Sequence, residues 1–331
     1  ELSRMTLAPA AAELKGRRLA IVPDGALQYI PFAMLASPEG AGRTAAAGGY
    51  RPLILDHEIV TLPSASAIAV QRRELAARAP APNQVAVVAD PVFESADVRV
   101  THKPGDAGRP VEGQEAQGQA TDFDSTRLLE HLTEDGTPTI PRLPYTRREA
   151  EQILAVASGG RNLRAVDFAA SRATALGGEL SKYRYVHFAT HGYVDSEKPG
   201  LSAVVLSLVD ERGRAQDGLL KAREIYNLHL PAELVVLSAC RTGLGKEIRG
   251  EGLVGLTRGF MYAGAARVIV SLWSVSDRGT ANLMSRLYSG MIKDGRSPAS
   301  ALRAAQVEMW KRGRWQSPYY WAAFVQQGEW R

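Results

Sequence analysis

"AELVVLSACRTGLG", residues 232–245, is the stretch whose reading decides the fold. Leu234 to Leu237 form an apolar run too short for a helix and without the alternation of a half-exposed strand. Such a run fits a central strand of a parallel sheet, covered by helices on both faces. It leads into Cys240, the only cysteine in 331 residues, and a loop with Gly243 and Gly245 follows. A lone buried cysteine ordinarily packs as a small hydrophobe. At the carboxyl end of a central strand, where open α/β sheets form ligand crevices, it is also a candidate nucleophile.

The pattern repeats on both sides. "YRYVHFATHGY" (183–193), "LSAVVLSLVD" (201–210) and "ARVIVSLWSV" (266–275) read as strands, as do "RRLAIVPDG" (17–25), "HEIVTLPS" (57–64), "NQVAVVADP" (83–91), "NLRAVDF" (162–168) and a last "YWAAFVQQG" (320–328). Between them lie helical stretches. "SASAIAVQRRELAARA" (64–79) is capped by Ser64 or Ser66, and "TRREAEQILAVAS" (146–158) by Thr146. "SRATALGGELSKY" (171–183), "GLLKAREIYNL" (218–228), "RGTANLMSRLYSGMI" (278–292) and "PASALRAAQVEMWKR" (298–312) continue the series. "GLVGLTRGFMYAG" (252–264) places Leu253, Leu256 and Phe260 at helical spacing and stops at Gly264. Alternating strands and helices predict an α/β fold: a mainly parallel sheet with helices on both faces. From Phe93 to about Pro141 the chain is polar and rich in Gly and Pro, which predicts a long loop or linker.

Composition narrows the function classes. Hydrophobic residues make up 45% and charged residues 23%, enough apolar material for a real core. One cysteine allows no internal disulfide and provides no metal cluster. No apolar run approaches about 18 residues, and the first residues lack the basic start and apolar centre of a signal peptide, so a cytoplasmic protein without membrane contact is expected. The start at Glu1 reads as a cut from a longer chain or a processed end. A net charge of +5, spread without a basic block, argues against direct nucleic-acid binding.

The chemistry lies at two strand ends. His191, followed by Gly192, precedes Cys240 by 49 residues. A thiol becomes a useful nucleophile at neutral pH beside a base or cation, and histidine is the usual partner. Gly192 leaves its backbone N–H open to a substrate carbonyl. His187, four residues before His191, reads as a core histidine, because the Glu of a zinc-binding H-E-x-x-H is missing. "GEGLVG" (250–255) matches G-x-G-x-x-G but does not directly follow a strand, so a dinucleotide site is not expected. No cofactor and no metal are called for.

Together, "YVHFATHGYVD" (185–195) and "VVLSACRTGLGKEIRGEGLVGLTRGFMYAGAARVIVSLWSVSD" (235–277) resemble the CHAT domain, a caspase- and separase-related cysteine peptidase family of bacteria. "LAIVPDGALQYIPFAML" (19–35), "LPSASAI" (62–68), "VVADP" (87–91), "LPYTRREAEQI" (143–153) and "SPYYWAAFVQQGEW" (317–330) extend the resemblance over most of the chain. It implies a caspase-like fold with a noncatalytic half, residues 1–145 including the insert, packed on a catalytic half, residues 146–331; the alternative is that residues 1–145 are simply the rest of one continuous sheet. It also implies an endopeptidase in which Cys240 attacks the scissile carbonyl and His191 serves as acid and base. Gly192 and Cys240 N–H groups would hold the oxyanion. The caspase signature Q-A-C-[RQG]-G is S-A-C-R-T-G here, so Ser238 stands at that substrate-contacting position and aspartate specificity loses its support.

"SLWSVSD" resembles the separase stretch lining the pocket for the residue before the cut. Asp277 would pair there with Arg or Lys, or else cap the following helix. Asp195 is a second acidic candidate, and Trp273 would flank the next subsite. The implied partners are a protein or peptide substrate and a helical-repeat sensor, upstream or separate. Two other classes stay open: a silent peptidase-fold adaptor and a non-peptidase thiol enzyme such as an acyltransferase. A protease with basic specificity would cut itself after Arg99, Lys103 or Arg109 of the insert, or near Lys246 and Arg249 after the cysteine, or need one of these loops ordered before activity appears. The alternative is that both are inert solvated loops.

Overall fold

The computed structural model describes residues 1–14, 16, 18–38, 50–101, 140–194, 198–238 and 252–330, with the backbone alone at 252–254. In chain order the strands are β1 (Leu19–Ile21), β2 (Ile59–Thr61), β3 (Asn83–Ala89), β4 (Asn162–Val166), β5 (Tyr183–Ala189), β6 (Gly192–Tyr193), β7 (Ala203–Val205), β8 (Leu219–Lys221), β9 (Leu234–Leu237), β10 (Arg267–Ser271) and β11 (Phe324–Gly328). The longer helices are α1 (Ala65–Ala76), α2 (Pro144–Val156), α3 (Gly252–Tyr262), α4 (Asp277–Ile292) and α5 (Pro298–Lys311).

Eight strands form one sheet in the order β1-β2-β11-β10-β9-β5-β3-β4, in which every adjacent pair is parallel except β10 with β11. Strands from before and after residue 145 build this sheet together, since β3 lies between β4 and β5 and β2 pairs with β11. The expected α/β architecture with both faces covered is present. Successive residues of a strand point to opposite faces. Val235 and Leu237 of β9 join Phe188 and α3 residues Leu256 and Phe260 on one face. Leu234 and Val236 join Ile153 of α2, Leu287 of α4 and Leu302 of α5 on the other. Each such apolar side chain contributes roughly 1.5–3 kcal/mol when fully buried.

The structure departs from the sequence reading in four places. "LSAVVLSLVD" does not enter the main sheet: its β7 forms a small antiparallel sheet with β6 and β8. "GLLKAREIYNL" divides into β8 and one helical turn, Ala222–Ile225, because pairing with β7 claims Leu219–Lys221. "SRATALGGELSKY" breaks at Gly177 and Gly178, the latter left-handed at φ 78°, after a short helix capped by Ser171. Helix α2 starts at Pro144, so Thr146 is no cap; its hydroxyl donates to the Leu143 carbonyl. Ser64 does cap α1, accepting from the Ala67 N–H.

The supposed loop from Phe93 begins as packed structure. Phe93 and Val100 are buried, and Ile140 at its far end packs with Phe93. Arg99 donates to both carboxylate oxygens of Asp97 and to Asp167, which corrects its reading as an accessible cleavage point. Lys103 and Arg109 lie outside the described residues, as do Lys246 and Arg249.

His187 is a core histidine. Its Nε2 lies 2.6 Å from Glu149 Oε1 and its Nδ1 lies 3.2 Å from the Tyr288 hydroxyl, with all three side chains fully buried. Burial pushes the Tyr288 hydroxyl well above its usual range, so it stays neutral. Tyr288→Phe leaves the imidazole short of one partner and is expected to cost about 1–3 kcal/mol, read from the midpoint of urea unfolding.

Candidate functional site

The site forms where the chain changes direction across the sheet. After β3 the chain crosses one face as α2 and reaches the edge strand β4; it then returns to β5, on the other side of β3. Segments leaving neighbouring strands toward opposite faces open a crevice at their carboxyl ends. His191 lies just beyond β5 at this point, and Asp90 to Phe93 leave β3 beside it.

His191 is fully buried, and its Nε2 lies 2.7 Å from the Pro141 carbonyl oxygen. A carbonyl only accepts, so Nε2 carries the proton and Nδ1 is the basic nitrogen of the neutral ring. The Phe93 ring packs against the imidazole with centroids 5.4 Å apart. The His191 carbonyl accepts from the Val205 N–H at 2.9 Å. Hydrogen-bonded pairs alternate along an antiparallel ladder, so Gly192, opposite Val204, falls in a non-bonded pair. Its N–H therefore faces away from β7.

On the neighbouring strand, Ser238 donates its N–H to the Phe188 carbonyl at 3.0 Å and continues the β9–β5 pairing past Leu237. Its buried hydroxyl has no hydrogen-bond partner among the described residues. Cys240, two residues on, and Asp195 lie outside the described residues. The structure thus brings His191, Gly192 and Ser238 to adjacent strand ends.

Trp273 and Asp277 follow β10, at the same end of the sheet because β10 runs parallel to β9. The Trp273 indole donates to the Tyr319 carbonyl at 3.2 Å, and the side chain touches the cores on both faces. Ser276 caps α4 by accepting from the Gly279 N–H, so Asp277 is the first helical residue and not the cap. Asp277 Oδ2 instead accepts the Tyr145 N–H at 3.0 Å and supplies a partner for the open start of α2. Burial pushes its carboxyl up to about 6; the Tyr145 N–H opposes the shift, while the Glu149 and Asp90 charges add to it.

One group of functional interest carried no sequence signal. Asp90, almost wholly buried and left-handed at φ 48°, accepts from Arg142 Nε and Nη2 at 2.8 Å each and from Arg147 Nε at 2.7 Å. Arg99 and Arg147 also reach Asp167, left-handed at φ 54°. Pairings across 52 residues have no periodicity to announce them. The Pro141 carbonyl was hidden likewise, since every residue has one. Among the described residues no cluster of His, Cys, Asp or Glu could hold a metal ion, and no helix is long and apolar enough to cross a membrane.

A two-faced, mainly parallel α/β domain with a buried histidine at its chain-reversal crevice is the class defined here. The CHAT domain profile matches residues 1–329, and the chain belongs to the CHAT domain family. Tetratricopeptide repeat protein 28 of Homo sapiens is 33% identical over 110 residues, which are 33% of this chain and 4% of that protein. Its Mus musculus counterpart is 34% identical over 107 residues, 32% of this chain and again 4% of the other. The chain therefore matches only a small part of these relatives. Among solved structures, the Saccharomyces cerevisiae separase–securin complex aligns over 94% of this chain and 15% of that chain, with TM-score 0.49 and 10% identity. The Arg-specific cysteine proteinase gingipain R aligns over 82% of this chain and 54% of that chain, with TM-score 0.46 and 8% identity.

Proposed function

We propose that the chain is a cysteine endopeptidase that cuts a partner protein after a basic residue. The observation that carries this reading is that His191, protonated on Nε2 against Pro141, follows β5, the strand paired with β9, whose end leads into Cys240. In the proposed reaction His191 Nδ1 takes the Cys240 proton, and the sulfur adds to the scissile carbonyl. The Pro141 carbonyl stabilises the imidazolium through Nε2–H. The Gly192 and Cys240 N–H groups hold the oxyanion, an interaction worth about 3–4 kcal/mol in comparable chemistry. His191 then protonates the leaving amine, and water activated by the same nitrogen releases the acyl group.

Asp277, with Asp195 as the second candidate, offers its carboxylate to Arg or Lys before the cut, while Trp273 flanks the next subsite and Ser238 stands at the substrate-contacting position before Cys240. Residues 1–145 serve as the noncatalytic part of the same unit. The repeat-protein relatives favour a domain working beside a helical-repeat sensor. The setting proposed from the sequence resemblance is a bacterial cytoplasm.

The test is a peptide library with mass-spectrometric readout, together with a peptidyl acyloxymethyl ketone carrying Arg. Cleavage after Arg or Lys and labelling of Cys240 are expected; a folded protein that neither cleaves nor labels is the silent adaptor. Transfer of the acyl group to an added amine in place of hydrolysis would make it an acyltransferase. Self-cleavage is expected near Lys103, Arg109, Lys246 or Arg249. New termini should appear in the active protein and be absent from Cys240→Ala, and no new terminus should follow Arg99.

A further inference from the structure

We propose that Asp90 is a positioning residue for the His191 site, acting through Arg142 to set the Pro141 carbonyl against the imidazole. The inference rests on the peptidase reading only for its effect on turnover.

Pro141 and Arg142 are consecutive. The Arg142 guanidinium is held by both oxygens of the Asp90 carboxylate at 2.8 Å, and the Pro141 carbonyl meets His191 Nε2 at 2.7 Å. A bidentate pair fixes orientation as well as distance. Ile140 anchors the other side of Pro141 in the buried cluster that also holds Phe93, the residue whose ring packs against His191. The three residues are thus pinned at both ends, with the histidine's partner in the middle.

Asp90 is suited to this task. Its side chain has no exposure, and it joins three aspartates to three arginines: Asp90, Asp97 and Asp167 with Arg99, Arg142 and Arg147. The formal charges balance, so the cluster can be buried without a stranded ion. Arg147 belongs to α2 and Asp167 follows β4, which ties the clamp to two rigid elements. Left-handed backbone at a non-glycine residue is costly, and both Asp90 and Asp167 adopt it. At Asp90 it turns the chain sharply out of β3, where the carboxylate meets Arg142.

The consequence is chemical. Without its carbonyl partner, His191 loses the preference for a proton on Nε2, and Nδ1 ceases to be reliably basic. Asp277, the pocket carboxylate of the proposed function, makes its hydrogen bond to Tyr145 and none to these groups.

The experiment compares the wild type with Arg142→Gln, Arg142→Lys and Arg99→Gln. Arg142→Gln removes the clamp but leaves Arg99 and Arg147 on the aspartates, so the fold should survive. Nitrogen-15 NMR of the histidine rings is expected to show His191 protonated on Nε2 in the wild type and a tautomer mixture in Arg142→Gln. Arg142→Lys should restore the Nε2–H form in part. Arg99→Gln should lower the melting temperature while the tautomer stays as in the wild type. Against peptides, Arg142→Gln should lower kcat about 10- to 100-fold with KM unchanged. An unchanged ring tautomer in folded Arg142→Gln overturns the proposal, as does an equal tautomer change in Arg99→Gln. The NMR reading needs no turnover, so a wild type that cleaves nothing refutes the peptidase reading and still decides this one.

Discussion

Cys240→Ala and His191→Ala are each expected to lower kcat/KM for peptide hydrolysis by about 10³-fold or more. Removing one member of a catalytic unit costs nearly as much as removing all of it, because the partner has no other route for the proton. The double variant should therefore be little worse than either single one. Since His191 is fully buried, the melting temperature of each variant has to be measured beside its activity. His191→Gln is the companion substitution, since its amide can still donate to Pro141 but cannot act as a base. Wild-type turnover in a folded Cys240→Ala protein would falsify the mechanism.

The second large effect concerns Asp277. Asp277→Ala is expected to reduce the preference for Arg or Lys over an uncharged residue about 10- to 100-fold, the scale of one charge-assisted hydrogen bond. The preference should also depend on pH. With its carboxyl pushed from 3.8 up to about 6, Asp277 is largely neutral at pH 5 and ionised at pH 7. Selectivity for Arg, measured as a ratio of kcat/KM values, should rise through that interval in the wild type and stay flat in Asp277→Asn. A library in which hydrophobic or acidic residues win at this position removes Asp277 from the pocket.

Stability should move the opposite way. The folded protein binds the Asp277 proton more tightly than the unfolded chain does, so the favourable contribution is complete below about pH 4. It is lost as pH rises through about 6. Asp277→Asn keeps an acceptor for the Tyr145 N–H and removes the ionisation cost. The gain at pH 7.5 should be about 1 kcal/mol, below the full value of the shift because the site is partly solvated. Greater stability with poorer selectivity in the same variant would mark a functional carboxylate held against its own preference.

The Asp277 result illustrates where sequence reasoning stops. "SLWSVSD" allowed either a pocket carboxylate or a helix cap, and both fit the same residue types. Only the backbone path showed that Ser276 takes the cap and that Asp277 turns to another helix. Likewise "GLLKAREIYNL" has good helical spacing, yet β7 captures its first residues as a strand. A hydrogen-bonded neighbour outweighs a propensity difference of well under 1 kcal/mol per residue.

What the sequence determined by itself was the alternation of strands and helices, the two-faced burial of Leu234–Leu237, and the placement of His191 at a strand end. These follow from side-chain periodicity, which is written in residues two to four apart. The tertiary structure decided that β3 lies between β4 and β5, that Arg142 and Arg147 close on Asp90, and that the Pro141 carbonyl meets His191. Such pairings join groups 50 or more residues apart, and they exist only once helix packing has fixed which strand ends lie side by side.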